Sequence, residues 1–285
     1  MLKNYGLDLA KEKLEQSTDD WKFGAIGEDL AIIPENERMK YLPIGEVQKG
    51  QDDLMDCASR GPLNILETKF NFLLKNKKLS FENEMWLKEK GYITNDGVEF
   101  SDAYIAILSG TTRQGNSLKA PLEAIRKNGL IPKSVLPLKS DMTWEQYHDP
   151  NRIMPLMKML GEDFMSRFHI NYEKVFEKSY PKLIKTCMLN VAGFAWPEPI
   201  NGEYQSVNQV ANHCFIVVRS PLYLIFDNYP DSFDGDFIKK LANDYDLLDY
   251  GYRLSVNQKA IVPKKPFLRR LKEGLGLYFY EIFRA

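Results

Sequence analysis

The order of three polar positions constrains this chain more than any other feature. Cys57 ends the stretch Gln-Asp-Asp-Leu-Met-Asp-Cys, and His213 opens the apolar run Cys-Phe-Ile-Val-Val. Asp227 and Asn228 close a second apolar run, Leu-Tyr-Leu-Ile-Phe. A thiol, an imidazole and a polar group that orients the imidazole are the parts of a site for nucleophilic attack on an acyl carbon. His213 follows Cys57 by 156 residues (213 − 57), so a fold that joins them pairs an early helix start with two late strands.

The two late apolar runs predict a tight hairpin. A three-residue loop would pair Val218 with Leu222, and this register places His213 opposite Asp227. A one-residue bulge or a longer turn places Asn228 there instead. The residues alone therefore bring His213 to a polar partner and leave open which of the two adjacent residues that partner is.

Composition favours a globular protein kept in a reducing compartment. The chain has 285 residues, of which 44% are hydrophobic, and its net charge of −1 gives no indication of nucleic-acid binding. No apolar run is long enough to cross a membrane, and the first residues lack the apolar core of a signal peptide. Three scattered cysteines do not form a disulfide framework, and no histidine or cysteine spacing predicts a metal or a cofactor. We expect a cytoplasmic or virion-associated protein.

The pattern along the chain changes from helix to strand and predicts four segments. Residues 1–42 form a charged N-terminal arm, and residues 43–140 carry helical periodicity and form a helical lobe. Residues 141–262 hold the strand-like runs of a β lobe, and residues 263–285 form a C-terminal tail with aromatic and basic side chains. Helices first and strands later are typical of an α+β protein with segregated lobes.

Individual elements follow from periodicity, caps and apolar runs. Leucine and phenylalanine residues at helical spacing predict a core-facing helix over residues 62–75. Further helical sequence covers residues 82–90, 118–128 and 150–180. Strands are predicted over residues 187–194, 214–218, 222–226 and 250–262, which puts Cys187 and Cys214 in strands, whereas His148 is expected on a surface loop.

On these residues the chain resembles the papain-like cysteine peptidases, and most of all their divergent bacterial and phage-type members. In that family a glutamine shortly precedes the cysteine that begins a central helix. A distant histidine precedes a strand, and an asparagine ends the next one. Gln51 precedes Cys57 by six residues, and Asn228 follows His213 by 15. The resemblance covers residues 43–262.

The resemblance implies a two-lobe fold around a cleft that cleaves a peptide or isopeptide bond in a peptide or protein substrate. Cys57 would be the nucleophile and His213 the base. Asn228 or Asp227 would hold the imidazole.

The same resemblance implies an oxyanion donor and a substrate loop. Gln51 would donate its side-chain amide to the oxyanion, unless the lead-in Leu-Pro-Ile-Gly-Glu-Val-Gln governs the alignment and makes Gln48 the donor. The glycine-bearing loop that lines the family's cleft corresponds to Gly115, Asn116 and Ser117.

Two neighbours of the cysteine depart from the family pattern. Asp56 places a negative charge beside the thiol, which opposes formation of a thiolate. Pro62 follows Gly61 inside the expected helix, and proline is comfortable only in a first turn. If the helix begins at Pro62, Cys57 loses the support of the helix N-terminus.

These departures leave a second class of function open. A papain-fold protein without turnover would be a structural or binding component, for example of a phage particle. Residues 1–42 or 267–285 would then contact a protein partner. A cell-wall amidase ranks lower, because such enzymes place the cysteine and the histidine much closer in sequence.

Overall fold

An α+β fold is formed by the part of the chain that the computed structural model describes. That part comprises residues 5–16, 28–45, 47, 51–195, 203–205, 209–220, 223–229 and 237–259. Helices occupy most of its first part, and a mostly antiparallel sheet follows, so the predicted fold class is confirmed. Within those residues no helix has both the length and the apolar character that a membrane crossing requires.

The helices range from single turns to one long central helix. The α-helices are α1 (Leu9–Glu15), α2 (Cys57–Lys75), α3 (Phe81–Glu89), α4 (Asp102–Leu108), α5 (Lys119–Asn128), α6 (Trp144–His148), α7 (Pro155–Arg167) and α8 (Tyr180–Leu183). Short 3-10 helices cover Glu35–Lys40, Lys133–Val135, Pro150–Arg152 and Glu177–Ser179. Helices α3, α4 and α6 begin where Ser80, Ser101 and Thr143 accept a backbone hydrogen bond at the N-cap.

Helix α2 lies at the centre of the fold, and Cys57 is its first residue. The backbone N–H groups of Ser59 and Arg60 donate to the Asp56 carbonyl at 2.8 and 3.1 Å, which starts the helix there. The start predicted at residue 62 is therefore wrong by five residues. Pro62 removes one backbone donor inside the helix, but every residue from 57 to 73 is buried, and this burial outweighs the local penalty.

A seven-stranded sheet packs against α2 in the order β1-β7-β2-β4-β5-β6-β3. The strands are β1 (Phe168–Phe176), β2 (Leu189–Gly193), β3 (Glu203–Tyr204), β4 (His213–Arg219), β5 (Leu224–Phe226), β6 (Ile238–Leu241) and β7 (Tyr250–Gln258). Neighbouring strands are antiparallel except β3 and β6, which run parallel.

Strand β4 is buried on both faces. Cys214, Ile216 and Val218 join the apolar core that includes α2. Phe215 and Val217 join a second core on the opposite face of the sheet. Period-two alternation thus makes one strand the divider between two cores.

Gly61 allows α2 to approach the sheet closely. A Cβ atom at this position would lie 2.2 Å from Asn190 Oδ1 on β2 and 3.1 Å from Cys214 Sγ on β4. Real side chains do not approach at the first of these distances, so only glycine fits here. The Gly61-Pro62 pair that looks like a helix breaker in the sequence is a packing device in the fold.

Three other predictions are corrected by the structure. The helical segment predicted over residues 150–180 ends at Arg167, because β1 pairs with β7 along its whole length. His148 is not on a surface loop: it is buried at the end of α6, with Nε2 2.8 Å from the Leu54 carbonyl. Cys187 lies in a half-buried bend before β2, not in a strand.

Candidate active site

The Cys57 sulfur is buried where α2 meets β4. Cys57 is 1% exposed, and it lies in the same buried cluster as Cys214, the residue after His213. Burial raises the pKa of the Cys57 thiol well above its usual range, and the nearby Cys214 thiol and Asp56 carboxylate add to that increase. The contact with Cys214 brings the sulfur to the start of the strand that carries His213.

His213 is completely buried and has an acceptor at each ring nitrogen. Nε2 lies 2.7 Å from Asp227 Oδ1, and Nδ1 lies 3.3 Å from the Tyr5 carbonyl oxygen. Both contacts are hydrogen bonds at once only when both ring nitrogens carry a proton. Asp227 thus orients the ring, and the Tyr5 carbonyl of the N-terminal arm contacts the other ring nitrogen, Nδ1.

Asn228 has a different partner from its neighbour. Its side-chain oxygen accepts from Asn64 Nδ2 on α2 at 2.8 Å. The two residues that the sequence left as alternatives are therefore separated, with Asp227 against His213 and Asn228 against the central helix.

The hairpin register explains why Asp227 stays on the histidine side. Val217 pairs with Ile225 and Ile216 pairs with Phe226, so paired residue numbers sum to 442 rather than the predicted 440. The predicted register is wrong by two residues, because the strand carries an irregularity between residues 217 and 219. A two-residue shift keeps every side chain on its original face of the sheet.

Asp227 is surrounded by donors in a fully buried position. Tyr204 donates its hydroxyl to Oδ2 at 2.5 Å, Lys239 Nζ lies 3.4 Å from the same oxygen, and the Tyr229 backbone N–H donates to Oδ1 at 3.1 Å. Burial alone would raise the pKa of the Asp227 carboxyl. The charges of His213 and Lys239, with the hydrogen bonds from His213 and Tyr204, outweigh burial and lower that pKa below its usual value.

The N-terminal arm crosses in front of His213. The backbone N–H groups of Tyr5 and Leu7 donate to the Asn212 carbonyl at 3.1 and 3.4 Å. The Tyr5 ring packs edge-on against His213 and against Tyr229, with ring centroids 5.9 and 5.1 Å apart. The arm thus lies on the strand start that carries the histidine.

The same arm also pairs with the glycine-bearing loop. The Asn116 N–H donates to the Gly6 carbonyl and the Asp8 N–H donates to the Asn116 carbonyl, both at 2.9 Å. These bonds form a parallel bridge between Leu7 and Asn116. Residues 5–8 therefore span from the β4 side to the loop at residues 115–117.

Two glycines let the arm fit. Gly6 has φ +108°, and a Cβ there would lie 2.7 Å from the backbone of Met55, two residues before Cys57. Gly115 has φ +97°, and a Cβ there would lie 2.0 Å from the Gly6 carbonyl oxygen. The arm is held as a bare backbone between the segment before the cysteine and the loop.

Substitution of Gly115 tests this close approach. Gly115→Ala is expected to lower the free energy of unfolding by roughly 2–4 kcal/mol, because it combines backbone strain with a clash. Gly110→Ala is the matched control, since Gly110 has φ +69° but its Cβ would meet only the Lys11 ammonium, at 3.9 Å. Urea unfolding measures both losses, and equal losses would show that the arm does not press on Gly115.

The fold places these contacts among known proteins. No protein-family model and no curated relative matches the chain. Xylellain, a cysteine protease from Xylella fastidiosa, is similar in structure at 12% identity and a TM-score of 0.51, over 84% of this chain and 98% of that one. A structure from work on the mite allergens Blo t 1 and Der p 1 is similar at 10% identity and a TM-score of 0.50, over 88% and 78% of the two chains. The digestive procathepsin L 3 of Tenebrio molitor larval midgut is similar at 11% and 0.50, over 88% and 76%.

The chain has the papain-like fold. Its resemblance to papain-like proteins, first seen in the order of Cys57, His213 and Asp227-Asn228, is confirmed at the level of the fold. The sequence predicted helical regions first and strand-rich regions later, and this order is a feature of the fold. The boundaries proposed at residues 42, 140 and 262 stay predictions.

Within the papain-like fold, the remaining described site residues differ in burial and in hydrogen-bond partners. Gln51 is exposed, and its backbone N–H donates to the Met142 carbonyl at 2.8 Å. Gln48 lies outside the described residues. Ser117 is buried and donates its hydroxyl to Glu15 of α1. The choice of oxyanion donor between the two glutamines stays open.

Asp56, which looked unfavourable in the sequence, is neutralised in the papain-like fold. Its carboxylate accepts from Arg60 Nε at 2.9 Å and from the Tyr147 hydroxyl at 2.7 Å. Arg60 also pairs with Asp102 at 3.0 Å. The charge still acts to raise the Cys57 pKa, but a buried ion network holds the start of α2 in place.

Sequence reasoning missed three residues of this site. Tyr5 lies in an arm with no motif, Tyr204 lies in a two-residue strand, and Lys239 is one of two adjacent lysines. A usable signal for Lys239 exists only after the strand is known, because the burial pattern of β6 turns Lys239 inward and Lys240 outward.

Proposed function

We propose that the chain is a cysteine peptidase that hydrolyses a peptide or isopeptide bond, with Cys57 as nucleophile and His213 as base. One observation carries the proposal: a buried carboxylate holds the imidazole of His213, and the next residue, Cys214, lies in the same buried cluster as the helix-start thiol of Cys57. Similarity in fold to cysteine proteases supports it.

In the proposed reaction His213 first accepts a proton and later donates it. His213 Nδ1 takes the proton of the Cys57 thiol, and the thiolate attacks the carbonyl carbon. The Cys57 backbone N–H, which has no partner inside the helix, and a glutamine amide from Gln51 or Gln48 face the oxyanion. His213 then protonates the leaving amine. Water, activated by the same nitrogen, hydrolyses the thioester and restores the thiol.

The proposal treats Asp227 as the group that orients the imidazole. Asp227 contacts Nε2, which leaves Nδ1 as the nitrogen for the thiol. Asn228 is assigned a structural contact with α2 instead. An aspartate in this role keeps a negative charge beside the imidazolium that forms during the reaction.

We also propose that the arm holds the site in a covered form. The Tyr5 carbonyl occupies the nitrogen that the thiol needs. Residues 6–8 lie on the loop at Gly115, Asn116 and Ser117, which is the proposed substrate subsite. One of the proteins similar in structure is a procathepsin, which supports reading the arm as a cover rather than as a contact for a protein partner.

Selective alkylation tests the proposed function. A peptidyl chloromethyl ketone is expected to label Cys57 of a chain that begins at residue 9 at least ~100-fold faster than Cys187, because only Cys57 has a base and an oxyanion site. Cys187 is half-buried and reports unassisted alkylation in the same molecule. Mass spectrometry of the digested protein measures both rates. Equal rates would overturn the proposal and favour a papain-fold binding protein without turnover.

A further inference from the structure

We propose that Lys239 is a positioning residue of this site. Its buried ammonium balances the charge of the Asp227 carboxylate, and that carboxylate orients His213. An uncharged amide in the place of Asp227 would need no counter-ion. The inference rests on the proposed peptidase function for its effect on Cys57. The charge pairing itself does not depend on that function.

Geometry places Lys239 on the far side of Asp227 from His213. The Nζ atom lies 3.4 Å from Asp227 Oδ2, whereas His213 contacts Oδ1. Lys239 also donates to the Tyr229 carbonyl, and its ammonium lies 5.6 Å from the centre of the Tyr204 ring. The lysine is 1% exposed and Asp227 is 0% exposed, so water screens neither charge.

Burial makes the pairing necessary. A carboxylate removed from water is strongly destabilised unless an opposite charge and hydrogen bonds replace its hydration. Tyr204 and the Tyr229 backbone supply hydrogen bonds to Asp227, but neither supplies a charge. Lys239 supplies a charge from a residue that takes no part in the proton transfers of the proposed reaction, and it is one of the causes that favour the ionised form of Asp227.

Other titratable groups face this pair from every side of the site. Tyr245 and Tyr5 lie close enough for the Asp227 charge to raise their pKa values, and burial is the larger cause in both cases. The remaining neighbours are His213 and Cys214 from β4, Tyr204 from β3, Tyr229 with its partner Asp53, and Cys57 at the start of α2. Among the groups named here, Lys239 and His213 are the two basic side chains in contact with Asp227.

The direction of the pH effect follows from these charges. Lys239 is one of the causes that lower the Asp227 pKa, so its removal moves that pKa upward. Asp227 then takes up a proton at a higher pH and no longer balances the imidazolium. The acid limb of Cys57 reactivity is therefore expected to move to higher pH when Lys239 loses its charge.

A double-mutant cycle in the full-length chain tests the inference. Lys239→Met leaves a buried carboxylate without its counter-ion, and Asp227→Asn leaves a buried ammonium without its partner. Each single variant is expected to unfold at a clearly lower urea concentration than wild type. The double variant, with an amide and no ammonium, is expected to be more stable than the sum of the two losses predicts. Lys240→Met, next to Lys239 but exposed on β6, is the matched control and should match wild type.

Reactivity gives a readout that a purely structural role would not move. The Cys57 alkylation rate, divided by that of Cys187, is measured against pH in each protein. Lys239→Met is expected to move the acid limb upward by about one pH unit, and Lys239→Arg should keep it in place. Asp227→Asn is expected to lose at least ~10-fold in rate, and the double variant should regain most of that loss.

Each result decides between the alternatives. Additive stability losses, or an acid limb in Lys239→Met that coincides with that of Lys240→Met, would overturn the role of Lys239. If Cys57 of the uncovered chain that begins at residue 9 reacts no faster than Cys187, the proposed function fails and the positioning role fails with it. Non-additive stability in that case would still identify a buried ion pair.

Discussion

A chain that begins at residue 9 is expected to hydrolyse a fluorogenic peptide at least ~100-fold faster than the full-length chain. Residues 5–8, which this truncation removes from the arm, make four backbone hydrogen bonds to Asn212 and Asn116. They also approach His213 through the Tyr5 carbonyl. At a net ~0.5–1 kcal/mol for each contact, the covered form is favoured by about 2.5–5 kcal/mol. A closed form favoured by that free energy reduces the competent population about 70- to 5,000-fold.

A point substitution separates uncovering from truncation. Gly6→Ala keeps the length of the chain but introduces a Cβ 2.7 Å from the Met55 backbone at a positive φ, so it should displace the arm and raise activity in the same direction. Lys13→Ala, on the exposed side of α1, is the matched control and should leave the rate unchanged. A synthetic peptide of residues 5–8, the covering segment that the truncation removes, should inhibit the truncated protein.

The reverse result would be equally clear. If truncation leaves the rate of peptide hydrolysis unchanged while Cys57 remains reactive, the arm does not cover the site in solution. The contacts of Tyr5 and Gly6 would then be part of the resting structure of an accessible cleft.

Replacement of Cys57 by alanine in the truncated chain is expected to lower kcat/KM by at least ~10³-fold. The thiol is the only group in the proposed reaction that forms a bond to the substrate, and its loss leaves only binding and oxyanion stabilisation. His213→Ala should cost a similar factor. The two losses should not add in the double variant, because the thiol and the imidazole act as a unit.

Two controls test whether the lower kcat/KM comes from loss of a cysteine in general or from loss of the fold. Cys187→Ala removes a cysteine that lies in a bend outside the site and should keep full activity. Thermal unfolding of Cys57→Ala should resemble that of the parent protein, since a small buried residue replaces another. Hydrolysis that persists in Cys57→Ala would assign any activity to another residue or to a contaminating peptidase.

How much of the fold the sequence predicts depends on how local the signal is. The helix around Leu66 and Phe70 and the apolar strand after His213 follow from period and composition. The start of α2 does not, because Pro62 is unfavourable locally and only burial against the sheet makes it tolerable. Strand β1 was hidden for the same reason: its pairing with β7 joins residues about 80 positions apart, such as 172 and 254.

The site divides along the same line. Cys57, His213 and Asp227 are joined by order and spacing, and the register error of two residues did not change the face on which Asp227 lies. Lys239 and Tyr204 could not be predicted as site residues from the sequence, because their contacts with Asp227 form only when β3 and β6 join the sheet. The cover formed by Tyr5 and Gly6 depends on chain segments that share no motif.

Gly61 makes the helix-sheet packing sensitive to the size of the side chain at this position. Helix α2 approaches the sheet so closely that a Cβ at position 61 would overlap the side-chain oxygen of Asn190, and the thickness of this helix-sheet interface fixes how far Cys57 stands from β4. A side chain at that position, one turn after Cys57, would have to displace Asn190 or push the helix away from the sheet. In this chain the spacing between Cys57 and β4 is therefore a dimension of the packing, set by the missing side chain at position 61.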